Sequence, residues 1–346
     1  MRQASGAALM SVALISANPA PAPVAAASPV NDALLLAEGF PARLQDFGLL
    51  VDGQTPVAGV IPYHLNTPLF SDYSEKFRFL YIPSGKKAVV RGAGLLDLPV
   101  GSVLIKSFGY PADLRAPNKD IRILETRLLI HRAAGWVALP YVWNAAGTEA
   151  VLKRAGQRLS VSWTHFDGQR RTISYAVPNA NQCKGCHVTG ADGLSPLGPK
   201  ARNLNDGAQL QSWQKTGLLR GRLTGLPAVP VWDQPNRASV AARARAYLDM
   251  NCGHCHNPQG PANTSGLWLN WEQPANANLG LFKRPTAAGR GSAGLAFAIH
   301  PGQPETSYLV ARMASLEPGV AMPELGRATV HDDGVALIRQ WIAEMK

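Results

Sequence analysis

The sequence predicts a multidomain α+β protein in which an N-terminal antiparallel β domain, a sandwich or a barrel, precedes a region of helices. Two observations carry this prediction. Phe77, Phe79 and Tyr81 alternate with polar or smaller residues, which is the period of a half-buried strand. Apolar residues keep helical spacing in the last part of the chain, after residue 236. We therefore expect strands first and helices second.

The β domain is predicted to cover residues 28–177. Further strands are predicted at 102–108, 122–131 and 136–143. The dipeptide Asp167-Gly168 separates two alternating runs, and Asp-Gly between such runs is a strong signal for a hairpin. No nucleotide or phosphate motif is found in this part of the sequence, so we expect it to dock onto, or cover, a site that lies elsewhere.

All four cysteines of the chain lie in two Cys-x-x-Cys-His motifs, Cys183-Lys-Gly-Cys186-His187 and Cys252-Gly-His-Cys255-His256. This spacing is typical of c-type haem attachment. Two thiols separated by two residues on a helical turn can each bond one haem vinyl group, and the next histidine binds the iron as proximal ligand. The motifs therefore predict two covalently attached haem c groups.

A zinc site, disulfides and a thioredoxin-like redox pair are the alternatives to haem for these cysteines. A zinc site of four cysteines has its two pairs about 15–20 residues apart, whereas Cys186 and Cys252 are much farther apart in the chain. Disulfides leave the two adjacent histidines unexplained. A thioredoxin-like pair needs a βαβ pattern around it, which the sequence lacks. Haem attachment accounts for all six residues.

The motifs also divide the second half of the chain. We interpret residues 178–235 as a first haem-binding segment, rich in Gly, Pro and Asn, and residues 236–346 as a class I cytochrome c domain with the second haem. The predicted fold class is thus a β domain followed by an α-helical haem region that ends in this domain. Its first and last helices should cross, with Tyr247 and Trp341 at the contact.

The iron of the second haem has a candidate distal ligand, opposite the histidine, in Met322. It lies in Ala321–Gly326, and the proline that follows stiffens the loop. Met313 is the alternative, although pairing with Leu309 at i,i+4 favours a packing role. The first haem has no comparable partner. His165 and His300 are candidate ligands, although a role in the core or in the hairpin turn is favoured for His165 and His300 lies in a turn. Met250 is expected to pack beside the second haem.

Residues 1–27 are predicted to be a signal peptide. Arg2 precedes an apolar stretch at 6–17, and Ala25-Ala26-Ala27 offers a cleavage site. No later stretch has the length of a membrane span, so the mature protein is expected to be soluble and periplasmic. The formal charge of +11 predicts an acidic redox partner protein. The basic residues are scattered and match no recognition motif, which excludes a nucleic-acid partner.

Several long stretches resemble an exported bacterial family of dihaem c-type cytochromes, often encoded beside a parallel β-helix repeat protein. The resemblance implies haem at Cys183, Cys186, Cys252 and Cys255 with His187 and His256 as proximal ligands, and it makes a β-helix repeat protein a candidate partner. The stretches that carry it are GVIPYHLNTPLFSDYSEKFRFLYIP, ETRLLIHRAAGWVALPYVWN, VPNANQCKGCH, RARAYLDMNCGHCH and MPELGRATVHDDGVALIRQWI.

These observations favour an electron-transfer protein that carries electrons between periplasmic redox partners, with no catalytic residue assigned. Two alternatives stay open. The first is a dihaem oxidoreductase or peroxidase, since the first haem lacks an obvious distal ligand and its iron would then be open. The second is carbohydrate or β-helix-partner binding through the β domain, for which Trp136, Tyr141 and Trp143 are candidate contact residues.

Overall fold

The computed structural model describes residues 30–188, 193–286 and 288–346, so the predicted signal peptide lies outside the described residues. The strands in chain order are β1 (Val60–Pro62), β2 (Glu75–Tyr81), β3 (Ala88–Val89), β4 (Val103–Tyr110), β5 (Arg122–Arg132), β6 (Gly135–Trp143), β7 (Ala150–Leu152), β8 (Gln157–Thr164), β9 (Arg170–Val177) and β10 (Leu219–Arg220). The helices are α1 (Asp32–Leu36), α2 (Ala180–His187), α3 (Ala201–Leu204), α4 (Gln209–Lys215), α5 (Val240–Asn251), α6 (Tyr308–Ala314) and α7 (Asp332–Ala343). Turns of 3-10 helix lie at Leu44–Phe47, Asn263–Ser265, Ala277–Leu279, Gly289–Ser292 and Pro304–Thr306.

A six-stranded antiparallel sheet in the order β1-β2-β4-β5-β6-β7 forms the centre of the first half. Because side chains alternate between the two faces of a strand, every second residue points to the same side. One face packs against the N-terminal segment from about 30 to 57. Its buried core is built from strand residues such as Phe79, Ile105, Leu128 and Tyr141.

The opposite face of the sheet is covered in two separate places. At one end of the strands, Leu80, Leu104 and Leu129 pack against the segment with α3, α4 and β10. At the other end, Phe108 and Val142 pack against the β8–β9 hairpin. The strip of the sheet face between these two patches is covered neither by the segment with α3, α4 and β10 nor by the hairpin.

Glu125 fixes the hairpin to the sheet. Its carboxylate is fully buried and accepts two hydrogen bonds from the Arg127 guanidinium and a third, at 2.5 Å, from the Tyr175 hydroxyl group on β9. Tyr175 lies only five residues before α2 begins. The buried carboxylate therefore anchors the chain immediately before the first Cys-x-x-Cys-His motif.

This anchor predicts a stability effect. We expect Tyr175→Phe to lower the free energy of unfolding by about 2 kcal/mol, because a buried carboxylate loses a hydrogen bond from a neighbouring hydroxyl group. Urea denaturation measures the change. Tyr308→Phe is the matched control, since the described residues offer no hydrogen-bond partner to the hydroxyl group of that buried tyrosine. Equal losses in both variants would contradict the anchoring role of Tyr175.

In the last part of the chain, α5 packs against α7 and α6 packs beside them around one hydrophobic cluster. Tyr247 and Trp341 both belong to this cluster, but the aromatic rings in contact with Tyr247 are those of Trp232 and His331. None of the described helices is both long enough and apolar enough to cross a membrane.

The predicted fold class is wrong. The described chain is mostly antiparallel sheet with seven α-helices, and neither an α-helical haem region nor a class I cytochrome c fold is evident in it. The longest helices, α5 and α7, have 12 residues each, and most of the backbone after residue 188 that is described runs in turns and loops. Helices α5 and α7 do form where the apolar stripes predict them, but they are not part of a larger helical haem region. The segment with α3, α4 and β10 packs its apolar side chains against the sheet rather than against other helices.

A loop after β1 joins the sheet to the last part of the chain. Asp72 is buried and adopts a left-handed backbone conformation, with φ of 49°. Its Oδ1 accepts hydrogen bonds from the Ala328 and Thr329 amides and from the Thr329 hydroxyl group, at 2.7, 2.8 and 2.9 Å. The Phe70 ring stacks on His331 with 4.0 Å between centroids. The loop therefore holds the segment that follows Met322.

Candidate functional site

Helix α2 presents the first Cys-x-x-Cys-His motif. It begins three residues after β9 ends, and the Asn179 side chain caps it by accepting a hydrogen bond from the Gln182 amide. The Gln182 side chain in turn accepts from the Asn179 amide, which completes a capping box. Cys183 and Cys186 are three residues apart, so they share one face of the helix. Both line a cavity between α2 and the sheet.

His187 is oriented by its backbone surroundings. Its Nδ1 lies 2.8 Å from the carbonyl oxygen of Ser195. Because a carbonyl oxygen only accepts, Nδ1 carries the proton and Nε2 keeps its lone pair. Burial lowers the pKa of His187 to about 4, so the ring is neutral near pH 7. A neutral imidazole whose other nitrogen is fixed by a carbonyl group is the usual form of a metal-ligating histidine.

The cavity beside α2 lies over the sheet face between the two apolar patches, and Leu104 and Leu129 of the first patch also line it. The cavity is open at its mouth and has a volume of about 220 Å³. That is below the roughly 300–1,000 Å³ of sites that enclose most of a ligand, so a larger ligand would extend through the mouth. The lining is largely apolar and includes Leu65, Leu69, Leu104, Leu129, Leu197 and Leu325.

Three cationic side chains line the same cavity, Arg78 on β2, Lys106 on β4 and Arg127 on β5. Arg78 is the register partner of Lys106, and Lys106 is the register partner of Arg127. We call this set the cation row. Each of its members is only partly exposed. None of the three is among the predicted site residues, although a lysine in the middle of the apolar run Val103-Leu-Ile-Lys-Ser-Phe is a usable signal.

The second motif follows α5 without a break. Cys252 is the residue that ends the helix, and its amide donates to the Leu248 carbonyl oxygen at 2.9 Å. The chain then turns, so that the His256 amide donates to the Cys252 carbonyl oxygen at 2.9 Å. Cys252 itself packs against the C-terminal hydrophobic cluster. The helix thus places the first cysteine of the motif at the edge of that core.

His256 repeats the arrangement of His187. Its Nδ1 lies 3.4 Å from the Ser265 hydroxyl oxygen, which already donates its own proton to the Ala262 carbonyl oxygen. The hydroxyl oxygen therefore accepts from Nδ1, and Nε2 keeps its lone pair. Burial lowers the pKa of His256 to about 4. Both histidines are thus neutral and have Nε2 available for an iron ion.

The two motifs contact each other through their second cysteines. The Cys255 thiol, and after it the His254 side chain, lowers the pKa of Cys186, so Cys186 and Cys255 lie close together. The Cys186 thiol in turn raises the pKa of Cys255. All four cysteines are free thiols. Motifs that are far apart in the sequence are therefore adjacent in the fold.

Met322 lies in a loop next to both motifs. It is partly buried, and its amide donates to the Arg312 carbonyl oxygen at 3.0 Å. The charge of Glu324 contributes to the raised pKa of Cys255, after the thiol contact and burial. Leu325 lines the first cavity, and its Cδ1 would be 3.3 Å from a Cβ placed on Gly185 in α2. The loop therefore runs between the two motifs.

The other predicted ligand candidates lie elsewhere. Met313 is buried within the C-terminal hydrophobic cluster. His165 contacts the Tyr73 ring, with 4.7 Å between centroids, and accepts from Trp163 Nε1 at 3.3 Å. The His300 Nδ1 lies 2.8 Å from the Thr306 hydroxyl oxygen. Met250 lines the first cavity, although the sequence predicts that it packs beside the second haem.

The residues at both motifs fit haem c. Each has two thiols at the attachment spacing and a neutral histidine with Nε2 available, and the first motif faces a cavity with an apolar lining. Within the described ranges, no group of three or more His, Cys, Asp or Glu side chains is arranged to hold a metal ion. Comparison of the chain with protein-family models, with curated proteins and with solved structures finds no match.

Proposed function

We propose that this chain is an exported dihaem c-type cytochrome that carries electrons between periplasmic redox partners. The proposal rests on two attachment motifs that each pair two thiols with a neutral histidine, and on the closeness of the Cys186 and Cys255 thiols, which perturb each other's pKa. Each thiol belongs to a different attachment motif, so the two motifs would hold their cofactors next to each other. Adjacent redox groups are what an electron relay requires, and an isolated binding module has no use for them.

The residues at each site have distinct roles. Cys183 and Cys186 would hold the first haem and Cys252 and Cys255 the second, with His187 and His256 as proximal ligands and Met322 as distal ligand of the second iron. Haem supplies a one-electron iron couple when it is bound. The carbonyl oxygen of Ser195 and the hydroxyl group of Ser265 orient the two imidazole rings.

The protein around the first site keeps water away from one side of the motif. The sheet forms one wall through Leu104 and Leu129, and Leu325 closes against α2. A low-dielectric wall favours the less charged oxidation state of a bound redox group and so raises its potential. The net charge of +11 would draw an acidic partner protein toward the molecule, whether a redox protein or the β-helix repeat protein that the family resemblance suggests.

A dihaem oxidoreductase or peroxidase with an open first haem is the second candidate. The open mouth of the first cavity favours it, because a small substrate needs a path to the iron. Among the described residues that line this cavity, Met250 is the only methionine. If the first iron bound a sulfur atom, no position would be left for a substrate. The spin state of the ferric iron therefore distinguishes the electron relay from the enzyme. Low-spin iron at both sites supports the relay, and cyanide binding by half of the iron supports the enzyme.

A sugar-binding role for the β domain receives less support from the structure. Tyr141 and Trp143 lie in the core of the sheet, and the Trp143 indole donates to the Thr126 hydroxyl group. Trp136 stacks on His131 with 4.5 Å between centroids. The three rings therefore do not form one exposed aromatic surface.

Mass spectrometry of the exported protein under denaturing conditions tests the proposal. We expect a mass increase of two haems in the full protein. The double variant Cys183→Ala with Cys186→Ala should gain the mass of one haem, and so should the double variant Cys252→Ala with Cys255→Ala. Each keeps the haem of its intact motif, because thioether bonds survive denaturation. Chain produced without residues 1–27 and kept in the cytoplasm is the matched control and should carry none. A stable exported protein without haem that binds zinc through its thiols would contradict the proposal.

A further inference from the structure

We infer that the cation row of Arg78, Lys106 and Arg127 binds the propionate carboxylates of the haem held at Cys183 and Cys186. The inference rests on the proposed function and adds an anion-binding subsite to it. All three cations line the cavity that α2 and its two cysteines face. The subsite is contributed by the β-sheet, which carries no attachment motif of its own.

The geometry of the sheet places the charges side by side. Arg78, Lys106 and Arg127 occupy paired positions on three neighbouring strands, and Pro140 on β6 continues the same line. Neighbouring strands are about 4.8 Å apart, so the three side chains start within about 10 Å of one another. A row of that width matches a ligand that has two carboxylates on one edge.

The next line of residues along the same face is apolar. Leu104 and Leu129 line the cavity and are register partners on β4 and β5. A ligand that lies on this face therefore meets charges at one edge and leucines over its body. Haem has this distribution, with carboxylates at one edge of an apolar ring. An all-polar anion such as phosphate has no use for the leucines.

The described residues do not balance the charges in the row. Glu125 accepts from Arg127, and it also accepts from Tyr175. The Arg78 Nη2 atom is buried without a hydrogen-bond partner among the described residues, and Arg78 Nη1 donates only to the Lys76 carbonyl oxygen at 3.3 Å. The Lys106 amine lies over the Phe108 ring, 4.6 Å from its centroid. Within the part of the chain that the structure describes, three cations with one carboxylate leave room for two anionic groups.

The electrostatic cost of this arrangement agrees with a missing anion. Burial first, and then the charges of Arg78, Lys76 and Arg127, lower the pKa of Lys106 well below its usual range. Like charges at opposed positions of neighbouring strands destabilise a sheet. Carboxylates in the cavity would reverse that effect, because a charge-assisted hydrogen bond to each cation replaces repulsion with attraction.

The test is the potential of the first haem in Lys106→Met and in Arg78→Met, measured on the mature dihaem protein. Without a cation beside it, the propionate charge favours ferric iron. We expect the ferrous state to lose roughly tenfold in relative stability per variant, which is about 59 mV downward for a one-electron couple. The resonance Raman propionate bending band should shift as well. Lys106→Arg keeps the positive charge, so its haem potential and its Raman band should match those of the unmodified protein.

Lys86→Met is the matched control, because it removes the same charge from an exposed side chain that does not line the cavity. It should leave the potential and the Raman band unchanged. If all three methionine variants behave alike while two haems are attached, the inference is overturned and the proposed function stands. If no haem is attached, the proposed function fails first. If inorganic phosphate shifts the wild-type potential and the Raman band is insensitive to Lys106→Met, the row binds a free anion and the inference is again overturned.

Discussion

Replacing Met322 with alanine is expected to lower the potential of one haem by on the order of 0.2 V, part of the span of about 0.8 V that axial ligands cover. A thioether sulfur stabilises ferrous iron relative to ferric iron, and water or another hard ligand does the reverse. The weak near-infrared band that arises from charge transfer between sulfur and ferric iron should disappear. Both haems should stay attached, because attachment uses the thiols.

Met313→Leu is the control for Met322→Ala. Met313 is buried in the C-terminal cluster, and leucine nearly conserves its volume, so the expected loss of stability is below about 1.5 kcal/mol. Its spectrum should match that of the unmodified protein. Loss of the sulfur band in Met313→Leu, together with its retention in Met322→Ala, would move the ligand from the loop to α6.

Asp72→Ala is expected to lower the free energy of unfolding by about 4 kcal/mol. The carboxylate accepts three hydrogen bonds from Ala328 and Thr329, and the loss of a buried acceptor costs about 1 kcal/mol or more for each donor left without a partner. Alanine also fits the left-handed backbone of this position poorly, with φ of 49°, whereas aspartate and asparagine tolerate it. Because these bonds hold the segment after Met322, the sulfur band should weaken as well. Thermal and urea denaturation, with the near-infrared spectrum, measure both effects.

Two variants control for Asp72→Ala. Asp72→Asn keeps an acceptor oxygen and should cost less than half as much. Asp52→Ala removes an exposed carboxylate that also accepts three hydrogen bonds, but only from Gln54 and Thr55 in its own turn. It should cost about 1 kcal/mol at most, because water replaces exposed partners. If Asp52→Ala lowers the free energy of unfolding as much as Asp72→Ala does, the hydrogen bonds between the loop and the C-terminal segment do not stabilise the fold more than those of an exposed turn.

Much of the sheet could be predicted because its signals are local. The strands predicted at 122–131 and 136–143 coincide with β5 (Arg122–Arg132) and β6 (Gly135–Trp143), and the Asp167-Gly168 turn joins β8 to β9. Alternation of apolar and polar residues is visible within a few positions. The prediction of the fold class was wrong where it depended on contacts between residues that are far apart in the sequence. Apolar stripes predict that α5 and α7 exist, but they do not reveal that Ala201, Leu204 and Trp213 pack on a sheet.

The candidate site divides in the same way. The attachment residues are contiguous in the sequence, so spacing and chemistry are enough to select them. The cation row combines single residues from three strands, and its members meet only when the register is known. Met250 is predicted at the second site because it precedes Cys252 in the chain, whereas its side chain lines the first cavity. Proximity in sequence is a poor guide there because the two motifs are in contact.

The contact between Cys186 and Cys255 also bears on how the protein must be made. An exported chain meets oxidants as soon as it leaves the cytoplasm, and a thiolate next to a thiol is the arrangement from which a disulfide forms. A Cys186–Cys255 disulfide would consume one attachment point from each motif in a single oxidation. A chain that folds before it receives haem is thus exposed to losing both sites at once. Attachment must therefore come before folding, or a reductant must accompany the chain until the thioether bonds are made.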